Sequence, residues 1–372
     1  MITPSFSLTA TERVLPKLAL DFTTANLDSR VTFTRTTDAT HPATYVNSSG
    51  YVTSATNNQP RFDYSSSSVG TCKGLLIEES RTNITTYSED LGSNNWAKFN
   101  ATVTQDATNA PSNLQTADKL IEDNTLNTHY TRQVIALSNA TYSYSVFLKA
   151  GERTLARIGM TDLATGDAYV DVNLSNGILS STTTSGSWSN TSATITAYPN
   201  SWYRVTITST KGGGTYLANY VFLMSDASTT NYQGNGTSGL YVWGIQLEAG
   251  AFATSYIPTT SAALTRNADV VTVAGQGVAA QGTFVVDATV VSGNTLLISG
   301  SVTFAATYST AQKTAVSYDA TSVLRSVNAG TVTSSVGATA GADIALGNGG
   351  HFKKVALYLP KMNNNELQAF SK

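Results

Sequence analysis

The chain has 372 residues, 41% of them hydrophobic, and its 22 basic and 24 acidic side chains leave a net charge of −2. Only 12% of residues are charged, about half the usual share in a soluble domain, and nowhere do Lys and Arg cluster as a nucleic-acid partner requires. Cys72 is alone and His41, His129 and His351 are far apart, which argues against a disulfide framework or a zinc site built on Cys or paired His.

In chain order, Met1–Leu20 lacks the basic start and apolar stretch of a secretory signal. No apolar run approaches the ~20 residues needed to cross a bilayer. Residues 1–90 read as irregular, broken by Pro4, Pro16, Pro42 and Pro60, with Leu75–Glu79 extended. Asn113–Ile121 predicts a short helix. Thr141–Leu148, TYSYSVFL, places Tyr142, Tyr144, Val146 and Leu148 on one face of a strand. Ser201–Thr208 does the same with Tyr203, Val205 and Ile207, and Tyr216–Met224 is a further strand. Lys211–Gly214, KGGG, is a turn between the two, and Ser225–Gly239 is a loop. Tyr241–Leu247 aligns Tyr241, Trp243, Ile245 and Leu247, and near the end Val355, Leu357 and Leu359 alternate with Ala356 and Tyr358. Asn363–Phe370 predicts a helix with Asn363 capping its first turn and Glu366 at the third position.

A period of two at this density predicts half-buried antiparallel strands. The expected fold is all-β: tandem antiparallel β-sandwiches, or jelly rolls, after an irregular N-terminal segment. Composition shifts at Arg81–Asn95 and at the Pro/Thr/Ser stretch Ile257–Arg266 divide the chain. They predict an attachment or oligomerisation segment at 1–90, a jelly roll at 91–258 and a smaller sandwich at 259–372.

Certain stretches resemble a known family. LDFTT (20–24), VTFTRTT (31–37), TYVNSSGYV (44–52), QPRFDY (59–64) and GLLIEESRTNI (74–84) occur in order. TYSYSVFLKAGERT (141–154), SWYRVTIT (201–208) and SGLYVWGIQLEAGAFATSYIPTT (238–260) follow. This succession resembles the phage head-spike and tail-fibre family, whose middle domain is similar to jelly-roll carbohydrate-binding modules. LGNGGHFKKVALYLPKMNNNELQAF (346–370) is similar to the closing strand and helix of concanavalin-like, laminin-G-type sandwiches. The resemblance implies a virion protein carried on the capsid or tail, and the lack of a secretory signal or apolar span predicts that it is made in the host cytoplasm. It would form a homotrimer and contact other virion proteins, whether major capsid, vertex or tail. Lacking a long shaft repeat, the chain fits a compact head spike or capsid decoration. The alternative is a tail adhesin that binds bacterial surface glycan. Residues Met1, Ile2, Pro4, Phe6 and Leu8, within Met1–Leu20, are the expected attachment to the particle.

Enzyme signatures are absent: no Gly-x-Ser-x-Gly, no His-Glu-x-x-His and no phosphate loop. Glu78 and Glu79 are adjacent, so on a strand they point to opposite faces and cannot flank one bond. Glu79 is then a partner for Arg81. No catalytic residue, cofactor or metal is expected. Asp118, Asp226 and Glu248 fall near strand ends as possible calcium ligands, but nothing in their spacing selects them. Sugars stack on flat rings, which makes Trp188 and Trp202 candidate glycan contacts, with the alternative that each ring packs on the sandwich. His129 and Arg132, flanking Tyr130, either line a sugar groove as donors or form a solvated edge. Trp243 reads as core, and Trp96 as the anchor of the jelly roll's first strand.

Overall fold

The structure is a computed structural model that describes residues 15–372, apart from 227–228, 276–279, 291–294, 300–301, 306–310, 339, 342 and 348. It is all-β, and its strands pair antiparallel throughout the described residues.

The middle of the chain forms one sandwich. Its six-stranded sheet runs Trp188–Tyr198, Trp202–Lys211, Thr141–Ala150, Gly239–Ala249, Gln115–Glu122, Ala101–Asn109. The opposing sheet runs Ile178–Leu179, Asp167–Asn173, Leu155–Thr161, Tyr216–Met224, Tyr130–Ala136, Ala97–Phe99, with Thr183–Thr184 added beside Asp167–Asn173. Alternation does the work expected of it. Tyr142, Tyr144, Val146 and Leu148 meet Ile158, Met160, Val170, Val221 and Leu223 across the interior. Lys211–Gly214 is the turn between two strands, as expected.

Two local expectations need correction. Gln115–Glu122 is a strand, not a helix, paired on both sides. Asn113, at φ +63°, turns the chain ahead of it, and ladder pairing overrides a weak helical preference. The alignment of Tyr241, Trp243, Ile245 and Leu247 also breaks. Ser145 pairs with Gln246 but Phe147 with Trp243, so Val146 faces both Gly244 and Ile245. This bulge, with Gly244 at φ +61°, reverses which face the strand presents. Leu240, Val242, Ile245 and Leu247 enter the main core. Trp243 joins Phe147, Trp202 and Tyr256 on the opposite side.

The second sandwich is closed by the N-terminal segment. One sheet runs Thr333–Val336, Ser322–Val327, Ala311–Tyr318, Gly282–Val290, Gly349–Tyr358, Cys72–Glu78, Arg61–Tyr64, with Leu18–Asp21 also against Gly349–Tyr358. The other runs Val31–Thr34, Val270–Val273, Ile344–Leu346, Thr295–Ser299, Val302–Ala305. The registers Leu18↔Leu357, Val31↔Val273 and Leu75↔Phe352 join chain ends. Leu18, Leu20, Phe22, Phe33 and Ile77 share a core with Phe284, Val316 and Phe352. The divisions expected at 90/91 and 258/259 therefore separate residues that are hydrogen-bonded to one another. Short, Pro-spaced strands bury too little apolar surface alone, and 259–372 lacks edge partners without them.

Helix Asn364–Phe370 begins as expected: Asn363 accepts from the Asn365 and Glu366 amides, and the Glu366 side chain returns to the Asn363 amide. Leu367 and Met362 cover Val285 and Ala315 on the outer side of the sheet.

Candidate functional site

Three of the four expected glycan contacts are interior. Trp188 is 4% exposed and lies in the main core of the first sandwich. The polar residues around it form a solvated edge, so this ring is what its strand has to bury. Trp202 is fully buried, its Nε1 donating to the Asn109 carbonyl at 3.0 Å. Alternation does point it away from Tyr203, but that outer face is roofed by Val52 and Tyr256. His129 is also fully buried, with Nδ1 2.7 Å from the Asn100 carbonyl and Nε2 3.2 Å from that of Tyr232. None of the three offers a surface to a sugar. Trp96 and Trp243 are core.

Other expected residues are placed as follows. Glu79 meets Arg81 Nε at 2.6 Å. Asp118 accepts from the Leu91 and Asp106 amides, and Glu248 from Gln246 and Thr254. Among the described residues no group of His, Cys, Asp and Glu could hold a metal. Met1, Ile2, Pro4, Phe6 and Leu8 lie outside the described residues.

Arg132 is different. It sits on the outer face of the seven-stranded sheet, where alternate residues of five strands form cross-strand rows. One row is Phe99, Tyr130, Phe222, Arg157, Asp171, each opposite the next in register. The row beside it is Ala97, Arg132, Tyr220, Gly159, Tyr169. Phe99 and Tyr130 stack at 4.5 Å, and Tyr130 and Phe222 at 4.1 Å, within about 11° of parallel. Arg157 binds Asp171 through two nitrogens, at 2.6 and 2.9 Å, and lies 3.8 Å over the Tyr169 ring. Gly159 leaves room for the Tyr220 hydroxyl, which a Cβ there would meet at 2.5 Å.

Arg132 lies 4.8 Å over Phe99 and makes no hydrogen bond or ion pair among the described residues. Its fork is an unspent donor set beside half-buried rings. Burial opposes the charge of Arg157, and Asp171 more than offsets this, holding the guanidinium above its usual range. Burial pushes the Tyr220 phenol well up, so it stays a hydroxyl. A recess of about 180 Å3 opens between Tyr130, Arg132, Arg157, Tyr220 and Phe222. A shallow recess walled by rings and bordered by the Arg132 fork and the Asp167 carboxylate can hold the apolar face of a sugar while pairing its hydroxyls. Sequence reading reached Arg132 and Tyr130 but missed Phe99, Arg157, Tyr169, Tyr220 and Phe222. The alternation in Leu155–Thr161 and Asp167–Asn173 marks Arg157 and Tyr169 as outward. In Tyr216–Met224, apolar at nearly every position and with its one amide, Asn219, buried, no such signal exists.

No protein-family model matches this chain, and no curated protein matches it in sequence. No helix among the described residues is long and apolar enough to cross a membrane.

Proposed function

We propose that this is a non-enzymatic display protein of a phage particle, a head spike or capsid decoration, whose first sandwich carries a glycan-binding face. The observation that carries the glycan reading is the Arg132 fork, without a hydrogen-bond or ion-pair partner among the described residues, beside the Phe99–Tyr130–Phe222 ladder. A buried or half-buried guanidinium left without acceptors is unfavourable, and an arriving hydroxyl or carboxylate relieves that. The virion setting, the homotrimer and contacts with capsid or tail proteins rest on the sequence resemblance. Supporting the non-catalytic reading, Glu78, Glu79, Asp63 and Asp171 each lie against a cation. A carboxylate so engaged is poorly placed as a general acid or base.

The test is an array of bacterial surface glycans probed with the full chain. Binding should be detected, and Arg132→Gln and Tyr130→Ala should each weaken it by about tenfold or more, the usual reach of a charged hydrogen bond or an aromatic anchor. No hit on the array, or unchanged binding by both variants, rejects the glycan reading. Electron microscopy of the particle tests the location, and sedimentation tests the trimer.

A further inference from the structure

A cavity of about 200 Å3 lies where the two sandwiches meet. Lys73 and His351 border it from the second sandwich, and Tyr198 and Arg204 from the first. Tyr45 and Phe252 close it from the short ribbon at 44–54 and the connection at 250–256. All but one of its charges are matched. Asp63 Oδ2 lies 2.5 Å from Lys73 Nζ and 2.8 Å from His351 Nε2. Glu78 is 2.7 Å from Arg61 and 3.5 Å from Arg266, and Glu79 is 2.6 Å from Arg81.

Arg204 is the exception. Among the described residues no carboxylate lies within ion-pair distance of it. Its Nη2 donates to Ser145 Oγ and the Thr254 carbonyl, both at 2.9 Å, and its guanidinium lies 5.4 Å over the Phe147 ring. Its Nε–H is buried and has no acceptor among the described residues. The Glu248 carboxylate feels this charge, but its Oε2 accepts from Gln246 Nε2 at 2.8 Å and the Thr254 amide at 2.9 Å, and its Oε1 from the Thr254 hydroxyl at 2.5 Å. A pinned guanidinium with no ion-pair partner among the described residues, bordering a walled recess between aromatic rings, is matched by an anion carried on a small body.

We propose that this cleft is a second binding site, for a small carboxylate-bearing ligand whose carboxylate is received by Arg204. The site is separate from the outer face of the seven-stranded sheet and does not depend on that reading. Two sources share the chemistry: an acidic sugar unit of a glycan and a free small carboxylate.

The experiment is calorimetric titration of the full chain with D-glucuronate, D-glucose and acetate. Glucuronate should bind one to one and glucose should not. Acetate binding as well as glucuronate assigns the free carboxylate as sufficient, and acetate silence assigns the acidic sugar. Arg204→Gln should weaken glucuronate binding at least about tenfold, the loss of a charge-assisted hydrogen bond. Ala253→Trp fills the cleft while keeping the Arg204 side chain in the sequence and should abolish binding, which decides the matter if Arg204→Gln does not fold. Arg132→Gln should leave glucuronate binding intact. The proposal is overturned by no binding of either acid, by equal binding of glucose, by binding that survives Ala253→Trp, or by binding that is lost in Arg132→Gln.

Discussion

His351 Nε2 stands 2.8 Å from Asp63 Oδ2, a contact across 288 residues of chain. It lies beside the pairing of Gly349–Tyr358 with Cys72–Glu78, so the two ends of the chain are joined by both backbone ladder and side chain. Deeper in, Arg61 bridges Glu78 and Asp269, and Asp269 also holds Arg35 at 2.7 Å, all with side chains almost withdrawn from water. Breaking one member of such a buried set leaves a stranded charge and costs more than an exposed pair would.

Asp63 should give the protein an acid limb of stability. Burial alone would raise its pKa, but the hydrogen bond and charge of His351 together with Lys73 outweigh burial and bring it down to about 2. A carboxyl depressed in the folded state contributes stability that is complete above its unfolded value near 4 and is lost as pH falls toward 2. Urea denaturation between about pH 5 and pH 2 should show a loss of about 2 kcal/mol from this group. Asp63→Asn should flatten that part of the slope, and an unchanged slope in the variant would refute the assignment.

Asp118 should act with the opposite sign. Burial raises it to about 6, beyond what the Asp106 and Leu91 amides can counter, and Asp90 and Asp106 add to the rise. Its folded form holds a proton that the unfolded chain has released between about pH 4 and pH 6, so stability falls as pH rises through that window. Asp118→Asn carries no charge there. Its stability relative to wild type should improve by about 2 kcal/mol on going from about pH 4 to pH 7. Equal differences at the two pH values would rule this out.

Gly244 is needed for both conformation and space. At φ +61° a Cβ would sit 2.9 Å from Phe147 Cδ2. Gly70, at φ +86°, has nothing within 4 Å of a Cβ. Gly70→Ala should cost about 1 kcal/mol from the left-handed backbone alone. Gly244→Ala should cost roughly 1–3 kcal/mol beyond that, from overpacking on Phe147. Thermal unfolding of the pair measures the gap, and similar midpoints would count against the bulge as described.

The final helix should respond to cap and packing separately. Asn363→Ala removes the reciprocal cap and should cost about 1 kcal/mol. Leu367→Ala opens a hole over Val285 and Ala315 and should cost about 2–5 kcal/mol. Chemical denaturation ranks the two, and a larger loss in Asn363→Ala would contradict the packing shown.

Trp202 and Arg132 should separate stability from binding. Trp202→Ala should destabilise by about 3–5 kcal/mol, the range for a large buried aromatic. Arg132→Gln, on the outer face, should change stability by under about 1 kcal/mol while weakening glycan binding. A stable Trp202→Ala variant with selective loss of binding would reverse these roles.

What was legible in the sequence was whatever depends on near neighbours. The two-residue period in Thr141–Leu148 and at Val355 and Leu357 sets which side chains turn inward, though Leu359, past the strand's end, is exposed, and Asn363 with Glu366 spells its own cap. Trp202 shows the limit. Its outward direction follows from alternation, but whether outward means solvent depends on Val52 and Tyr256 arriving from elsewhere in the chain.

The sequence by itself therefore determined the strand-rich class, the alternating faces and the closing helix, because these follow from side-chain order within a few residues. Only the tertiary structure decided three other things. It threaded Leu18–Asp21 and Cys72–Glu78 beside Gly349–Tyr358, set the aromatic rows beside Arg132, and left Arg204 bordering a cleft with no carboxylate at ion-pair distance among the described residues. Each depends on the register between strands distant in sequence, and backbone hydrogen bonds of a ladder form equally well with many partners until burial selects one.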